Sequence, residues 1–103
     1  MTYVMSDIHG NAIRFNSIMG QINLQPEDTL YVLGDVIDRY PDGIRILRLF
    51  MSMPNVQMLL GNHEYMMLNV LDRLDKDNPE YPHALRLWYR NGGNITHEYI
   101  KHI

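Results

Sequence analysis

Seven side chains in three short stretches have types and spacings that point to chemistry: Asp7 and His9 in SDIHG, Asp35, Asp38 and Arg39 in GDVIDR, and Asn62 and His63 in GNHE. Asp7 and His9 are two apart, and in an extended backbone residues i and i+2 face the same side. A carboxylate and an imidazole placed so form a two-ligand clamp for a divalent ion. Asp35 adds a third ligand. Its second oxygen can bridge to a second ion, to which Asn62 offers an amide oxygen. Two ions about 3.5–4 Å apart hold a hydroxide between them and clamp a phosphoryl oxygen. Arg39 supplies the planar fork that matches phosphate, joined on the phosphate by Asn62 and His63. His63 faces the leaving group as general acid, with Asp38 as its hydrogen-bonding partner. The sum is metal-dependent hydrolysis of a phosphate ester. Each residue alone has a plainer reading. Asp35 can be part of a turn, Asp38-Arg39 a solvated ion pair of little energetic worth, and Asn62 a helix cap. The recurrence of the design after three apolar runs favours a single site.

Those runs are the elements that must position the site. Thr2–Met5, Leu30–Leu33 and Val56–Leu60 read as strands. Asn11–Ile22 reads as a helix because Phe15, Ile18, Met19 and Ile22 recur at helical spacing. NLQPEDT is a turn. Pro41-Asp42 opens a second helix with Ile44, Leu47 and Met51 inward, ended by Pro54-Asn55. Glu64–Leu74, with Met67, Val70, Leu71 and Leu74 on one face, is a third helix, followed by a DKDNPEYP loop and a short helix over His83–Arg90. NGG at Asn91–Gly93 reads as a turn, and the tail takes no assignment. The order is β-α-β-α-β-α, which implies parallel strands and right-handed crossovers. Asp7 to Asp35 is 28 residues and Asp35 to Asn62 is 27, each one strand-helix-strand unit. Parallel strands end on one edge, where ligands of open α/β sheets bind.

Composition narrows the functional classes. The chain has 103 residues, 46% hydrophobic and 20% charged, which is one small globular domain over 1–103 or part of one. A net charge of −3 gives no basic footprint for nucleic acid or an anionic membrane. With no cysteine, any metal falls to Asp, His, Glu or Asn. No apolar run is long enough to span a bilayer and the first strand begins at about Thr2, so a cytoplasmic protein is expected. The eight Met read as core filler, Phe15, Tyr31 and Trp88 as packed aromatics, and His83, His97 and His102 as surface histidines.

SDIHG, GDVIDR and GNHE resemble the first three sequence blocks of calcineurin-like metallophosphoesterases. The Asp38-Arg39 pair is similar to the Ser/Thr protein phosphatase branch. WYRNGGNITHEY, from Trp88, resembles a Trp-x-x-Asn-Gly-Gly-x-x-Thr stretch of bacterial members. The resemblance implies the first half of a four-layer α/β/β/α fold. It places Asp7, His9 and Asp35 on one ion and Asp35 and Asn62 on a second, with His63 as acid, Asp38 as its partner and Arg39 on phosphate. The implied metals are manganese, iron or zinc, and the implied substrate is a phosphorylated protein or small phosphoester. Dinucleoside polyphosphate hydrolases are similar in the same blocks. Tyr40 departs from the glycine common after the Arg. The two further histidines that the family brings to the second ion come from downstream blocks, and this sequence has 41 residues after Asn62 and no Gly-His block among them. One ion instead of two, weak catalysis, or a non-catalytic unit that folds and forms a homo-oligomer through an uncovered sheet are therefore expectations to weigh beside the enzyme.

Overall fold

A computed structural model describes residues 1–73 and 78–103. The order is β1 (Thr2–Met5), α1 (Ala12–Ile22), β2 (Thr29–Val32), α2 (Gly43–Met51), β3 (Val56–Met58), α3 (Asn62–Asp72), α4 (Tyr81–Arg90) and α5 (Gly93–Lys101). The three strands pair in parallel in the order β1-β2-β3, with Met5 opposite Val32 and Val32 opposite Met58. The α/β class and the parallel β-α-β-α-β-α core are as the sequence implies. Of the expected third helix, Leu74 lies outside the described residues, as does part of the loop after it.

Local chemistry sets the element ends. Asn11 caps α1 by accepting from the Arg14 N–H (3.1 Å), and Asn23 closes it in the left-handed conformation, donating its N–H to the Met19 carbonyl. Phe15 of α1 and Ile46 and Phe50 of α2 pack in one cluster with Met5, Leu30 and Val32 of the sheet, so both crossover helices cover the same sheet face. The expected inward face of α2 is corrected here. Ile44 is buried and Leu47 half-buried, but Met51 is exposed, and Ile46 and Phe50 take its place. Ile37 and Ile44 belong to a second cluster with Met67, Val70, Ala84 and Trp88, which ties α3 and α4 to the loop after β2.

The opposite sheet face is bare. Val4 (64% exposed), Tyr31 (42%) and Leu59 (61%) stand on it, so Tyr31 does not pack in a core as its type suggests. Parallel sheets normally have both faces covered, and apolar surface of this extent drives association. The isolated chain is therefore expected to form dimers or larger species at high concentration by light scattering, and Leu59→Lys to shift it toward monomer. A wild-type chain that stays monomeric would contradict this.

Candidate active site

The sheet hydrogen bonding does not stop where the strands end. Beyond β1 and β2 the ladder continues as Leu33 N–H to Met5 C=O (2.9 Å), Asp7 N–H to Gly34 C=O (3.4 Å), His9 N–H to Asp35 C=O (3.0 Å) and Gly10 N–H to Val36 C=O (2.7 Å). The first two loops are thus zipped together. Their backbone is unusual. Among the described residues six non-glycine residues have positive φ, and five of them lie in these loops: Asp7 (57°), His9 (49°), Asp35 (57°), Asp38 (76°) and Arg39 (75°). Each such residue costs on the order of 1–2 kcal/mol, and such strain concentrates at functional sites. Asp7 and His9 are therefore not on an extended backbone, as i, i+2 spacing suggests. Two left-handed residues bring their side chains together instead.

The third loop docks against the second through two glycines. A Cβ on Gly34, itself at φ 102°, would lie 2.3 Å from the Gly61 nitrogen, and one on Gly61 would lie 2.6 Å from the Asp35 nitrogen. Glu64 locks this approach. It is buried, and its carboxylate accepts from the N–H groups of Asp35 (2.6 Å), Val36 (2.9 Å), Ile37 (3.4 Å) and Gly61 (2.9 Å). Gly61 is the N-cap of α3, so Asn62 and His63 open the helix and Asn62 is not its cap. Residue types alone do not mark Glu64, because its carboxylate is engaged by backbone N–H groups and not by a ligand. Its position three residues after a helix-capping glycine was the available signal.

Asp7, His9, Asp35, Arg39, Asn62 and His63 line one open pocket of about 490 Å³, joined by Tyr65, Met66 and Asn91. Asp38 lies beneath it, fully buried, with Oδ2 2.7 Å from His63 Nδ1. All seven residues expected at the site are thus brought together. His9 Nδ1 donates to the Ile37 carbonyl (3.0 Å), which leaves the Nε2 lone pair 3.7 Å from Asp7 Oδ1. Asp35 Oδ1 accepts from the His63 backbone N–H (3.0 Å). Arg39 is exposed, and its guanidinium forms no ion pair with a described residue.

Among the described residues no three His, Asp or Glu side chains converge tightly enough to form a ligand cluster. The Asp7–His9 pair nonetheless fits a divalent ion. An imidazole whose other nitrogen donates to a carbonyl is the usual metal-ready form, and two donors 3.7 Å apart can share an ion with bonds of about 2.1 Å. Asp35 and Asn62 face the same pocket. His83 and His97 do not line it. His83 is exposed. His97 is buried, which corrects its assignment to the surface, and its Nδ1 lies 2.6 Å from the Tyr89 hydroxyl.

Burial holds the His97 imidazole below its ordinary value, Lys101 adds to the effect, and Glu98 opposes it. The unfolded chain then binds more protons than the folded one just below the ordinary histidine value of about 6.5. Wild-type stability should thus fall as pH drops through that value toward the depressed folded-state one. His97→Gln should flatten this slope in urea titrations at several pH values, and an unchanged slope would refute the role.

The family model for the calcineurin-like phosphoesterases matches residues 2–102. The chain is 35% identical over 81 residues to a symmetrical bis(5'-nucleosyl)-tetraphosphatase of Pectobacterium atrosepticum, a match covering 77% of this chain and 29% of that protein. It is 36% identical over 81 residues to the protein of the same name in Yersinia pestis, covering 77% and 28%. The chain thus spans less than a third of the length of these relatives. Three zipped loops, a metal-ready carboxylate-imidazole pair and a match over nearly the whole chain agree: this chain belongs to the calcineurin-like phosphoesterase family, whose members are metal-dependent.

Proposed function

We propose that the chain is the N-terminal metal- and phosphate-binding part of a hydrolase that cleaves phosphoanhydrides of the dinucleoside polyphosphate class. The observation that carries the reading is one pocket walled by Asp7, His9, Asp35, Asn62, His63 and Arg39. The relatives' activity on bis(5'-nucleosyl) tetraphosphates supports the substrate class. Asp7, His9 and Asp35 would hold a first ion of manganese, iron or zinc type, with Asp35 and Asn62 directed to a second. When bound, such ions supply Lewis acidity and an activated water.

The chain's own residues do the rest. The Arg39 guanidinium pairs with non-bridging phosphoryl oxygens. The Nδ1–H···Oδ2 bond to Asp38 fixes the His63 ring, so Nε2 is the nitrogen left to face the leaving oxygen; once Nε2 is protonated as well, the imidazolium delivers that proton to it. A second reading, hydrolysis of phosphomonoesters such as phosphoserine, is favoured by that same pair. An alkoxide leaving group is far more basic than a phosphate and needs a positioned acid more. Comparing a bis-nucleoside tetraphosphate with a phosphoserine peptide, in the chain carried to the length of its relatives, decides between the two: faster turnover of the peptide would overturn the first.

For the chain alone, vanadate or phosphate affinity is expected to fall about 10–100-fold in Arg39→Ala, since a hydrogen bond to a charged group contributes about 1.5–3 kcal/mol. Bound metal should be unchanged. Equal anion affinity by calorimetry would remove Arg39 from the phosphate site.

A further inference from the structure

The Asp38–His63 pair is not held by the three loops alone. The Asp38 carboxylate has no Lys or Arg among its partners in the described residues, although it is fully buried. Its remaining partner is the indole of Trp88, fully buried on α4, whose Nε1 lies 3.1 Å from Oδ1 and 2.9 Å from Oδ2. The Asp38 backbone N–H, at φ 76°, donates to the hydroxyl of Thr96 on α5 (3.0 Å). The helix hairpin closes around this contact. A Cβ on Gly93 would lie 2.2 Å from the indole Cδ1 and 2.3 Å from Nε1, so only glycine lets the ring reach Asp38. The Gly92 carbonyl accepts from the Arg39 N–H (3.1 Å).

We infer that Trp88 and Thr96 are positioning residues, which hold Asp38 so that the proton of the Asp38–His63 bond resides on His63 Nδ1 and Nε2 is turned to the pocket. The inference rests on the His63 role given above, and goes beyond it by assigning that role's control to the C-terminal hairpin. An indole N–H donates and never accepts. Placed across both carboxylate oxygens, it favours the ionised carboxylate, which only accepts, so the bond to His63 takes its hydrogen from the imidazole. Without the indole, Oδ1 faces no other donor among the described residues, and only the His63 bond restrains the carboxylate's rotation. Thr96 acts one step further back, holding the left-handed backbone from which the carboxylate projects. The two residues lie 50 and 58 positions from Asp38, so the site loops alone do not contain the device.

The test reads the tautomer and not turnover, so it stands or falls separately from the hydrolase reading. Trp88 is the only tryptophan, and its indole N–H gives one resonance. In the 15N-labelled full chain, long-range proton–nitrogen spectra at one fixed pH are expected to show His63, assigned by its loss in His63→Gln, with the proton on Nδ1. Trp88→Phe keeps a ring and removes the donor, and should shift His63 toward the Nε2–H form with the helical circular dichroism retained. Thr96→Val should shift it in the same direction. Should Trp88→Phe fail to fold, Asp38→Asn carries the test, because it must move the Trp88 indole resonance. A His63 spectrum unchanged in folded Trp88→Phe, or an indole resonance unmoved by Asp38→Asn, would overturn the inference.

Discussion

Glu64→Ala should destabilise the chain by about 3–5 kcal/mol, a large part of the about 5–15 kcal/mol by which a domain is typically stable. The carboxylate accepts from four backbone N–H groups, those of Asp35, Val36, Ile37 and Gly61. Alanine leaves these donors without a partner, at a cost of about 1–3 kcal/mol for each buried one that finds no other. Relaxation and entering water reduce the sum. Glu64→Gln keeps the shape and one acceptor oxygen but turns an NH2 toward N–H donors, so it should fall between wild type and alanine. Urea unfolding at neutral pH measures both. A loss below about 1 kcal/mol for alanine would show that the second and third loops hold together without this carboxylate.

Asp7→Asn should act in the opposite manner, leaving the fold and removing the metal. Asp7 is exposed and its φ is 57°, a conformation asparagine tolerates as well as aspartate. Stability should therefore change by no more than about 0.5 kcal/mol. The carboxylate's charge and second oxygen are gone, however. Groups that only orient a ligand are worth about 10–100-fold in metal affinity, so losing the ligand itself should cost about 100-fold or more. Manganese titration by calorimetry, beside a thermal melt of the metal-free chain, separates the two effects. Wild-type affinity in the variant would move the metal away from the Asp7–His9 pair.

The contrast between these two variants shows what the sequence made legible. Asp7, His9, Asp35, Asp38, Arg39, Asn62 and His63 were found because each has a metal-competent or phosphate-competent group at the end of an apolar run. β1 and β2 follow from those runs to within a residue, and α1 from its helical spacing. β3 is shorter than expected. Leu59 still bonds the Val32 carbonyl (2.8 Å), but the strand proper closes at Met58 before the turn to Gly61. α3 begins at Asn62 instead of Glu64 because its cap is a glycine. α5 escaped altogether. Two of its buried residues, Thr96 and His97, are polar and are held by hydrogen bonds to Asp38 and Tyr89, and Tyr99 and Ile100 pack only half-buried, so hydrophobic periodicity is weak there. The left-handed loop residues were hidden for a related reason. Long-range hydrogen bonds, from Gly34, Asp35 and Val36 on one side and Glu64 on the other, impose conformations that local propensity disfavours.

The central claim is that one divalent ion and one phosphate share the pocket formed by the three loops. The most direct measurement is the phosphorus resonance of inorganic phosphate in the presence of the manganese-loaded chain, because the paramagnetic ion broadens only a phosphate that approaches it closely. With about one manganese bound per chain, the wild-type protein is expected to broaden the phosphate line well beyond the same metal concentration with Asp7→Asn, and Arg39→Ala to lose most of that broadening while keeping its metal. Broadening equal in wild type and Asp7→Asn, or manganese bound without any effect on phosphate, would contradict a shared site.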